Sequence, residues 1–444
     1  MPLADHPTVL AIRKKNEAGN LPAAAPILDD AWLRELCLEL GADDVGFVPL
    51  EHPAIAEQRA EIVATFPATK ALVSFVVRMN REPIRNPARS ISNVEFHKVG
   101  HDVDATGHSI VRALERRGIR ALNATMGFPM EVDRERFWVI SHKPIAVAAG
   151  LGHMGLHRNV IHPRFGSFVL LGTVLVDRPI SAGAEPLDFN PCVDCKLCVA
   201  ACPVGAIAPD GHFDFSACLT HNYRDFLGGF ADWVGEVADS RNRKDFERRV
   251  PANETLSVWQ SLSFGANYKA AYCLAVCPAG EEVLTPFLDR RADFIQEIVR
   301  PLQKKVEPVY VIANSDAERH VRKRFPHKRP RRVRSMVRAR SIAGFLFAMP
   351  RIFQREASEG LAATYHFIFT GSEPREATVD IRDKTIAVRD GLIGAADLTV
   401  HADSVGWLKF LTREWGVLRL LLTRRLRLRG RASLLPAFGR CFPS

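Results

Sequence analysis

Apolar positions along the first half of the chain alternate between helical and strand spacing. After Asp29-Asp30, which can serve as a helix N-cap, residues 31–41 carry apolar side chains at helical intervals and end at Gly41. The elements predicted next are a strand at 45–48, a polar helix at 53–65, a strand at 71–77 and a helix at 104–117. This alternation predicts an α/β fold, in the wider α+β sense, over residues 29–185.

The pattern changes near the C-terminus, from Phe367 onward. Short alternating runs predict strands at 367–369, 377–381, 385–388 and 396–400. Asp403 stands where an N-cap would start a helix that carries Trp407 and Leu408. A separate α+β domain, a β-meander followed by an apolar helix, is therefore predicted over residues 345–444.

Composition and charge narrow the class of protein. A length of 444 residues predicts two to four domains, and 47% hydrophobic with 25% charged residues excludes a disordered or fibrous chain. The net charge of +10 is concentrated in two segments: residues 319–340 hold eleven Lys/Arg and no Asp/Glu, and residues 409–431 hold eight Lys/Arg against Glu414. The rest of the chain is left at −8, so the whole-chain charge says little about partners.

Cysteine usage bears on the compartment. The sequence shows no apolar run of the roughly eighteen residues that a membrane span needs, and its N-terminus lacks the basic start and apolar middle of a signal peptide. A cytoplasmic protein is expected. Seven of the nine cysteines lie between positions 192 and 277, and because reducing cytoplasm disfavours disulfides, this concentration indicates metal binding.

A glycine motif, G-x-G-x-x-G, occurs at Gly150, Gly152 and Gly155. A dinucleotide site would need these glycines to open a long helix, but His162-Pro163 interrupts it, so a tight turn packed against a sheet is the preferred interpretation. The polar side chains crowded here are candidates for the rim of a cofactor pocket: His153, His157, Arg158, Asn159, His162 and Arg164.

The most informative stretch is Cys192-x2-Cys195-x2-Cys198-x3-Cys202-Pro203, the spacing of a bacterial ferredoxin. Three thiolates at intervals of three can bind three irons of one cubane, while the fourth points to a different cluster. Structural zinc is the alternative, but zinc sites usually use two separated ligand pairs. The spacing favours an inserted dicluster ferredoxin domain over residues 186–285.

Two clusters can be assigned from the cysteines that follow. The predicted ligands are Cys192, Cys195, Cys198 and Cys277 for the first 4Fe-4S cluster and Cys202, Cys218 and Cys273 for the second. Two cubanes need eight thiolates, and this region supplies seven. The shortfall leaves three alternatives: a non-cysteine ligand such as His221, a three-iron cluster, or an iron open to solvent or substrate. Cys37 and Cys441 are expected to be buried, inert thiols.

These segments together resemble a known family. Glu39-Leu-Gly-Ala-Asp-Asp-Val-Gly-Phe47, Ala149-Gly-Leu-Gly-x-x-Gly155, Pro163-Arg-Phe-Gly-Ser167, Leu171-Gly172, the ferredoxin run, Cys218 and Cys273-x3-Cys277-Pro278 recur in this order in epoxyqueuosine reductases. The resemblance covers roughly residues 30–280, and reductive dehalogenases share the general plan. It implies an α/β domain that holds cobalamin above two 4Fe-4S clusters, which pass low-potential electrons to cobalt.

The chain departs from that family at two positions. Ala270 stands where the family has a further cysteine, which would be the eighth ligand. The family's catalytic aspartate has no clean match, since Asp133 is the nearest aspartate but has the wrong spacing. The resemblance therefore assigns no catalytic residue.

The C-terminal domain resembles the sterol carrier protein type 2 domain. The resemblance rests on Ala396-Asp-Leu-Thr-Val400-His-Ala-Asp403, on Gly430 and on the ending at 434–438. It implies an apolar tunnel for lipids, sterols or acyl groups. The alternative is that these apolar residues form a plain core.

Each basic segment has a plain and a specific interpretation. Residues 319–340 are expected to be a solvated linker or an arm lying on the acidic remainder, within a connector over 286–344. Nucleic acid is not an expected partner, because Phe325 is the segment's only aromatic residue available for base stacking. Residues 409–431, rich in Leu and Arg, suit an amphipathic element at a membrane surface or a cover for the domain's own sheet.

The leading hypothesis is a cytoplasmic iron-sulfur oxidoreductase with a loose arm at 1–28. Electrons from an external donor of the ferredoxin or flavodoxin type would pass through the clusters to a cofactor or substrate in the α/β domain. The C-terminal domain would present an apolar substrate. The competing hypothesis is a non-enzymatic dicluster electron carrier with a lipid- or membrane-binding tail.

Overall fold

The computed structural model describes residues 2–18, 26–128, 130, 138–337 and 339–443. The chain divides into two compact units. The first unit comprises Met1–Ile84, Val94–Cys195 and Cys277–Arg291, and the second comprises Arg85–Asn93, Lys196–Val276 and Ala292–Ser444. Among the described residues, no helix is both long and apolar enough to cross a membrane.

The first unit is built on a four-stranded sheet in the order β1-β2-β6-β3. Its strands are β1 Asp44–Pro49, β2 Ala71–Arg78, β3 Ala121–Ala124 and β6 Val169–Val176, with β4 His153–Met154 and β5 Val160–Ile161 forming a separate hairpin. All pairs in the large sheet are antiparallel. The predicted mixture of helices and strands is confirmed, and the antiparallel pairing makes it the α+β variety.

Helices and short helical turns accompany these strands in the first unit, and two of them, Arg81–Arg85 and Arg89–Glu115, have residues in both units. They are Leu3–Asp5, Pro7–Ala18, Asp30–Glu39, Pro53–Gln58, Arg59–Thr65, Arg81–Arg85, Arg89–Glu115, His142–Ala148 and Glu281–Asp289. The helix predicted at 31–41 is confirmed, and its N-cap is Asp29, whose carboxylate accepts the Trp32 N–H at 2.8 Å. Part of the predicted arm at 1–28 is helical, and residues 19–25 lie outside the described residues.

The helix predicted at 104–117 begins much earlier, at Arg89. Its first half places polar side chains at buried positions, which conceals the helical spacing of apolar residues. Glu95 is one of them: it is buried and accepts the Asn80 N–H at 2.6 Å. A buried carboxylate with such a partner is stable but does not look like a core position in sequence.

The second unit contains the helices of the ferredoxin-like region. Its helical elements are Leu197–Ala201, Phe215–Asn222, Gly228–Asp239, Arg243–Arg249, Ala252–Phe264, Tyr272–Ala275, Arg291–Phe294, the π-helical turn Ile295–Val299, Arg300–Lys304, Asp316–Arg324, Ile342–Ile352, Glu356–Ser358, Ser404–Leu411, Val417–Leu422 and Leu434–Arg440. The unit also contains a small parallel pair of strands, β7 Pro308–Ile312 and β8 Arg329–Val333.

The basic segment 319–340 differs from the linker predicted for it. It contributes the end of helix Asp316–Arg324 and the whole of β8. Lys328 is buried and donates to Glu307 Oε1 at 2.7 Å, and Arg332 pairs with Glu318 at 2.8 Å. The arginines therefore belong to a folded element, because acidic residues outside the segment neutralise them.

The C-terminal part of the second unit is a five-stranded sheet in the order β11-β10-β9-β12-β13. Its strands are β9 Ala363–Thr370, β10 Arg375–Arg382, β11 Thr385–Asp390, β12 Leu398–Asp403 and β13 Leu426–Gly430. The predicted strands and the Asp403 N-cap are confirmed, the latter accepting the Gly406 N–H at 2.9 Å. Aromatic rings of Phe345, Phe367, Phe369 and Trp407 pack in the core of this sheet.

Candidate functional site

Three of the predicted cluster ligands lie together in the first unit. Cys277 is buried among Ile161 and Ala279, and Cys192 packs against the same group. Burial raises the pKa of the Cys277 thiol to about 12, and nearby Cys195 and Cys192 raise it further, although the Ala279 N–H and the Ser167 hydroxyl stabilise the thiolate. These thiols can ionise together only if a cation neutralises them, which the irons of a cluster would do. The donor set fits an iron-sulfur cluster.

The backbone around Cys195 explains how closely spaced thiols can share one side. Asp194 and Lys196 both have positive φ, 47° and 60°. Two left-handed residues on either side of Cys195 turn the chain sharply, in place of the helix or strand that would spread the side chains. Cys198 belongs to the second unit, so the complete ligand set of the first cluster stays a prediction.

The second unit contains the other predicted ligands. Cys202 ends helix Leu197–Ala201, and its sulfur accepts the Ala206 N–H at 3.3 Å. The helix that carries Cys273 contacts this same helix. Burial raises the pKa of Tyr223, and the neighbouring Tyr268, Cys218 and Cys273 raise it further. The structure thus brings Cys218 and Cys273 to one aromatic side chain, with Cys202 on an adjoining helix.

The environment of His221 argues against a ligand role for this residue. Its ring is buried, and its Nδ1 accepts the Tyr310 N–H at 3.3 Å. Burial lowers the pKa of His221 to about 4, so the ring is neutral and its single proton sits on Nε2. Nε2 is buried without a hydrogen-bond partner among the described residues. A ligand nitrogen needs a lone pair, whereas this arrangement leaves an N–H donor.

The position at which the family has an eighth cysteine is also buried in the protein. Ala270 is buried, and its N–H donates to Asn222 Oδ1 at 2.9 Å. Among the described residues, no three His, Cys, Asp or Glu side chains converge on a position for a single metal ion. A cubane makes a different demand, since its thiolates bind separate irons.

The glycine motif forms the tight turn that its context favoured. Helix His142–Ala148 ends just before it, and residues 149–185, all of them described, contain no helix. A Cβ at Gly150 would lie 2.6 Å from the Glu185 carbonyl oxygen, and one at Gly152 would lie 2.5 Å from that of Ile161. The glycines therefore allow close approach within the protein and leave no cradle for a ligand.

The pocket-rim candidates near this turn mostly bond to one another. Lys143 Nζ donates to the Arg158 carbonyl at 2.6 Å and to Asn159 Oδ1 at 3.0 Å. His157 is buried and accepts the Asn159 N–H at Nδ1. His153 bonds its neighbour's carbonyl. A cavity role for these side chains stays a prediction. Of the six candidates, Arg164 bonds Glu282 and His162 stacks on Phe165, two residues that line the cavity described next.

The first unit contains a cavity of about 510 Å³ beside the end of β2. Its lining residues are Arg78, Met79, Asn80, Arg81, Glu82, Pro83, Phe165, Phe168 and Glu282. Arg164 Nε donates to Glu282 Oε1 at 2.9 Å, so it reinforces the wall from outside. The volume and the mixture of aromatic and charged walls are typical of a small-molecule site.

One turn joins this cavity to the Cys277 thiol. His162 Nδ1 accepts the N–H groups of Arg164 and Phe165, which closes the turn 163–167. The Ser167 hydroxyl stabilises the Cys277 thiolate, and Phe165 lines the cavity. Backbone hydrogen bonds from Glu281 to Pro163 and from Glu282 to Arg164, of 2.8 and 3.1 Å, tie the turn to the segment that follows Cys277.

Sequence patterns passed over Arg78, Arg81 and Glu282, which form the charged part of the cavity. A sequence feature could have identified Arg78. It is the charged residue that directly follows the buried run of β2, where the strand meets a loop. The sequence offers no comparable mark for Glu282, since its partners lie far away in the chain. Asp133 lies outside the described residues.

Comparisons with known proteins agree with the cysteine pattern. Residues 186–208 match the model of the 4Fe-4S binding domain. The epoxyqueuosine reductase of Escherichia coli strain K12 is 30% identical over 174 residues, or 37% of this chain and 42% of the relative. That of Listeria monocytogenes is 26% identical over 209 residues, or 44% and 51%. These matches confirm a ferredoxin-type 4Fe-4S segment and a sequence similarity to epoxyqueuosine reductases.

The matched part of the chain spans only 21% to 51% of the length of such curated relatives. Among solved structures, the epoxyqueuosine reductase of Streptococcus thermophilus has a TM-score of 0.33 at 13% identity, covering 62% of this chain and 78% of that one. Palmitated SCP2L2 of Aedes aegypti has a TM-score of 0.19 at 18% identity, covering 22% and 94%. Likenesses this low carry no argument, so the sterol-carrier-like fold stays a prediction.

One further solved structure contains a nucleic acid. It is an epoxyqueuosine reductase with a tRNA stem loop, and its TM-score is 0.31 at 14% identity, covering 62% of this chain and 78% of that one. This likeness is also too low to carry an argument, so the expectation that nucleic acid is not a partner of this chain stays a prediction.

Proposed function

We propose that this chain is an iron-sulfur reductase whose clusters relay single electrons to a group bound in the cavity of the first unit. The observation that carries the proposal is the turn 163–167. Its Ser167 stabilises the thiolate of Cys277, a predicted cluster ligand, while its Phe165 lines the cavity. A redox centre and a binding site would then be separated by a single turn of backbone.

The predicted ligands retain their assignment in this proposal. Cys192, Cys195, Cys198 and Cys277 hold the first cluster, and Cys202, Cys218 and Cys273 hold the second. When bound, a 4Fe-4S cluster supplies one-electron transfer at low potential. With His221 acting as a donor, the second cluster lacks a fourth protein ligand, so it is either a three-iron cluster or one with an iron open to an exogenous ligand.

The chain's own residues have definable roles. Hydrogen bonds to a ligand sulfur raise the reduction potential of a cluster, and the Ser167 hydroxyl and Ala279 N–H would act on Cys277 in this way. Phe165 and Phe168 exclude water from one wall of the cavity. No acid or base is assigned to the reaction.

Cobalamin, which the family resemblance implies, fits the cavity poorly. A volume of about 510 Å³ lies within the range of roughly 300–1,000 Å³ that holds drug-sized ligands. A corrinoid with its nucleotide tail exceeds that size, so this cavity alone does not enclose one. We therefore derive no step through cobalamin.

Anaerobic reconstitution followed by counts of iron, sulfide and corrinoid tests the proposal. We expect about seven or eight irons per chain, and replacement Cys277→Ser should remove one cluster signal in electron paramagnetic resonance. Cys37→Ala is the matched control, because Cys37 is equally buried but lies in the core beside β1. Fewer than about four irons in the wild type, or two intact signals in Cys277→Ser, would contradict the proposal.

A specific observation favours the second candidate, an electron carrier with a membrane-binding tail. Helix Val417–Leu422 exposes Leu418 and Leu422 to 72% and 85%. Arg419 and two neighbouring cations pack on Trp415, so apolar and cationic groups occur side by side. The same tail also contributes the edge strand β13 to its own sheet, where it pairs with β12. Exposed leucines among arginines suit an anionic membrane surface.

Co-sedimentation with vesicles of mixed phosphatidylserine and phosphatidylcholine tests the tail. Leu418→Ser with Leu422→Ser should weaken binding at least tenfold, because each leucine loses its burial in lipid. Leu288→Ser, on a helix of the first unit and 65% exposed, should bind as the wild type does. Absence of wild-type binding, or equal loss in the control, would reject a membrane role.

A further inference from the structure

We propose that the cavity beside β2 binds a small organic anion, a carboxylate or phosphate group carried on an apolar body. The proposal rests on the proposed function in one respect, namely that this anion is the molecule reduced. The binding site itself is argued from the cavity walls alone.

Three guanidinium groups converge on one carboxylate at the cavity. Glu282 lies 2.9 Å from Arg164 Nε, 3.5 Å from Arg81 Nη2 and 3.7 Å from Arg78 Nη1. Glu82 is the second carboxylate of the lining. Within the lining, Arg78 and Arg81 balance the two carboxylates. Arg164, which pairs with Glu282 from outside the lining, gives the cluster one excess positive charge.

Arg78 is the guanidinium most available to a ligand. Its 3.7 Å separation from Glu282 is too long for a hydrogen bond, and 48% of its side chain is exposed. The guanidinium lies over the Phe165 ring, 5.8 Å from its centroid, which holds it in place. A guanidinium has about five N–H donors in a planar fork that matches a carboxylate or phosphate.

Arg81 and Arg164 are already anchored by protein. Arg81 Nη1 donates to the Glu282 carbonyl at 3.1 Å, and Arg164 lies over the Phe165 ring at 5.0 Å. These contacts fix the charged wall before any ligand arrives. A prearranged wall loses little side-chain freedom on binding, which favours affinity.

The apolar residues of the lining select the rest of the ligand. Met79, Phe165 and Phe168 are buried, and Pro83 completes an apolar surface. A free inorganic ion would leave this surface uncovered, and a cation would meet the excess positive charge. An anionic group on an aromatic or acyl body satisfies both walls.

Calorimetric titration of the reconstituted full chain tests this inference with three probes: benzoate, phenyl phosphate and the uncharged benzamide. We expect one or both anions to bind at least tenfold more tightly than benzamide, and to bind more weakly as salt rises. The ratio of benzoate to phenyl phosphate distinguishes carboxylate from phosphate. Equal binding of anions and benzamide, or no binding of either anion, would overturn the inference.

Variants locate the binding to this cavity. Arg78→Gln should weaken anion binding about tenfold. Arg34→Gln is the control, since Arg34 is 43% exposed, pairs with Asp44 at 3.1 Å and lies 5.8 Å from the Phe47 centroid. Equal losses in both variants would refute the site. Iron counts on the same samples separate the two ideas: anion binding without iron rejects the reductase alone, and full iron without anion binding rejects the anion site alone.

Discussion

Replacing Gly166 with alanine should detach the turn 163–167 from the segment that carries Cys277. Gly166 has φ +67°, a left-handed conformation, and an added Cβ would overlap the carbonyl oxygen of Ala279. A real Cβ stays roughly 3 Å or more from such an oxygen, so the two segments would have to separate by about 1 Å. Gly280 meets the turn in the same way from the other side, so neither segment can yield locally.

The cost can be worked out from these contacts. Left-handed strain costs about 1–2 kcal/mol for a non-glycine residue. Separation would also weaken the two backbone hydrogen bonds from Glu281 and Glu282, each worth about 1 kcal/mol, and expose packed backbone. We expect Gly166→Ala to lose about 3–5 kcal/mol of unfolding free energy in total.

Gly211→Ala separates strain from overlap. Gly211 has φ +88° and no atom within 4 Å of an added Cβ, so it should lose only the strain of about 1–2 kcal/mol. Urea unfolding measures both variants, and the iron content after reconstitution should fall in Gly166→Ala alone. Equal losses in the two variants, or full iron retention in Gly166→Ala, would refute the reasoning about this turn.

Two further predictions concern buried ionisable side chains, one in each unit. Burial, with a smaller effect of Lys143, lowers the pKa of His157 to about 4. The unfolded chain takes up this proton near pH 6.5, so stability falls as pH drops through that window, by about 2 kcal/mol from about pH 7.5 to about pH 5. Urea titrations should show this loss abolished in His157→Gln and retained in His108→Gln, an exposed position. Arg224→Met should cost about 3–5 kcal/mol because it leaves two buried carboxylates without this partner, whereas exposed Arg243→Ala should cost nothing measurable; equal unfolding midpoints would contradict this.

Elements that are defined by the spacing of their own apolar residues were predictable from the sequence. The helix at 30–39 and the strands of the C-terminal sheet follow directly from side-chain periodicity and capping residues. Elements stabilised by ion pairs to residues outside the element were not predictable. In the segment 319–340 the charged residues are all arginines and lysines. The acidic partners that fold it, such as Glu307 and Glu318, lie upstream of the segment. Local charge alone cannot distinguish a solvated linker from a neutralised strand.

The cysteine spacing predicts the kind of metal site but not protonation around it. His221 has the right residue type for an eighth ligand, and its spacing from Cys218 puts both on one helix face. The Tyr310 amide argues against this role, because it donates to Nδ1 of His221 and leaves the ring proton on Nε2. That amide arrives from β7, far along the chain, so only the folded structure could report the tautomer.

The cavity depends on the same kind of distant contact. Glycines at 166 and 280 both have positive φ, 67° and 102°, and each excludes a side chain because the other segment's backbone occupies the space. In the sequence each looks like an ordinary turn glycine, because the backbone that it contacts belongs to a segment far away in the chain. Their contact sets Glu282 among the three arginines and places Cys277 beside Ser167 in one step. If these glycines are what couples a cluster ligand to the anion site, Gly166→Ala should impair both iron retention and benzoate binding, whereas Arg78→Gln should impair benzoate binding alone.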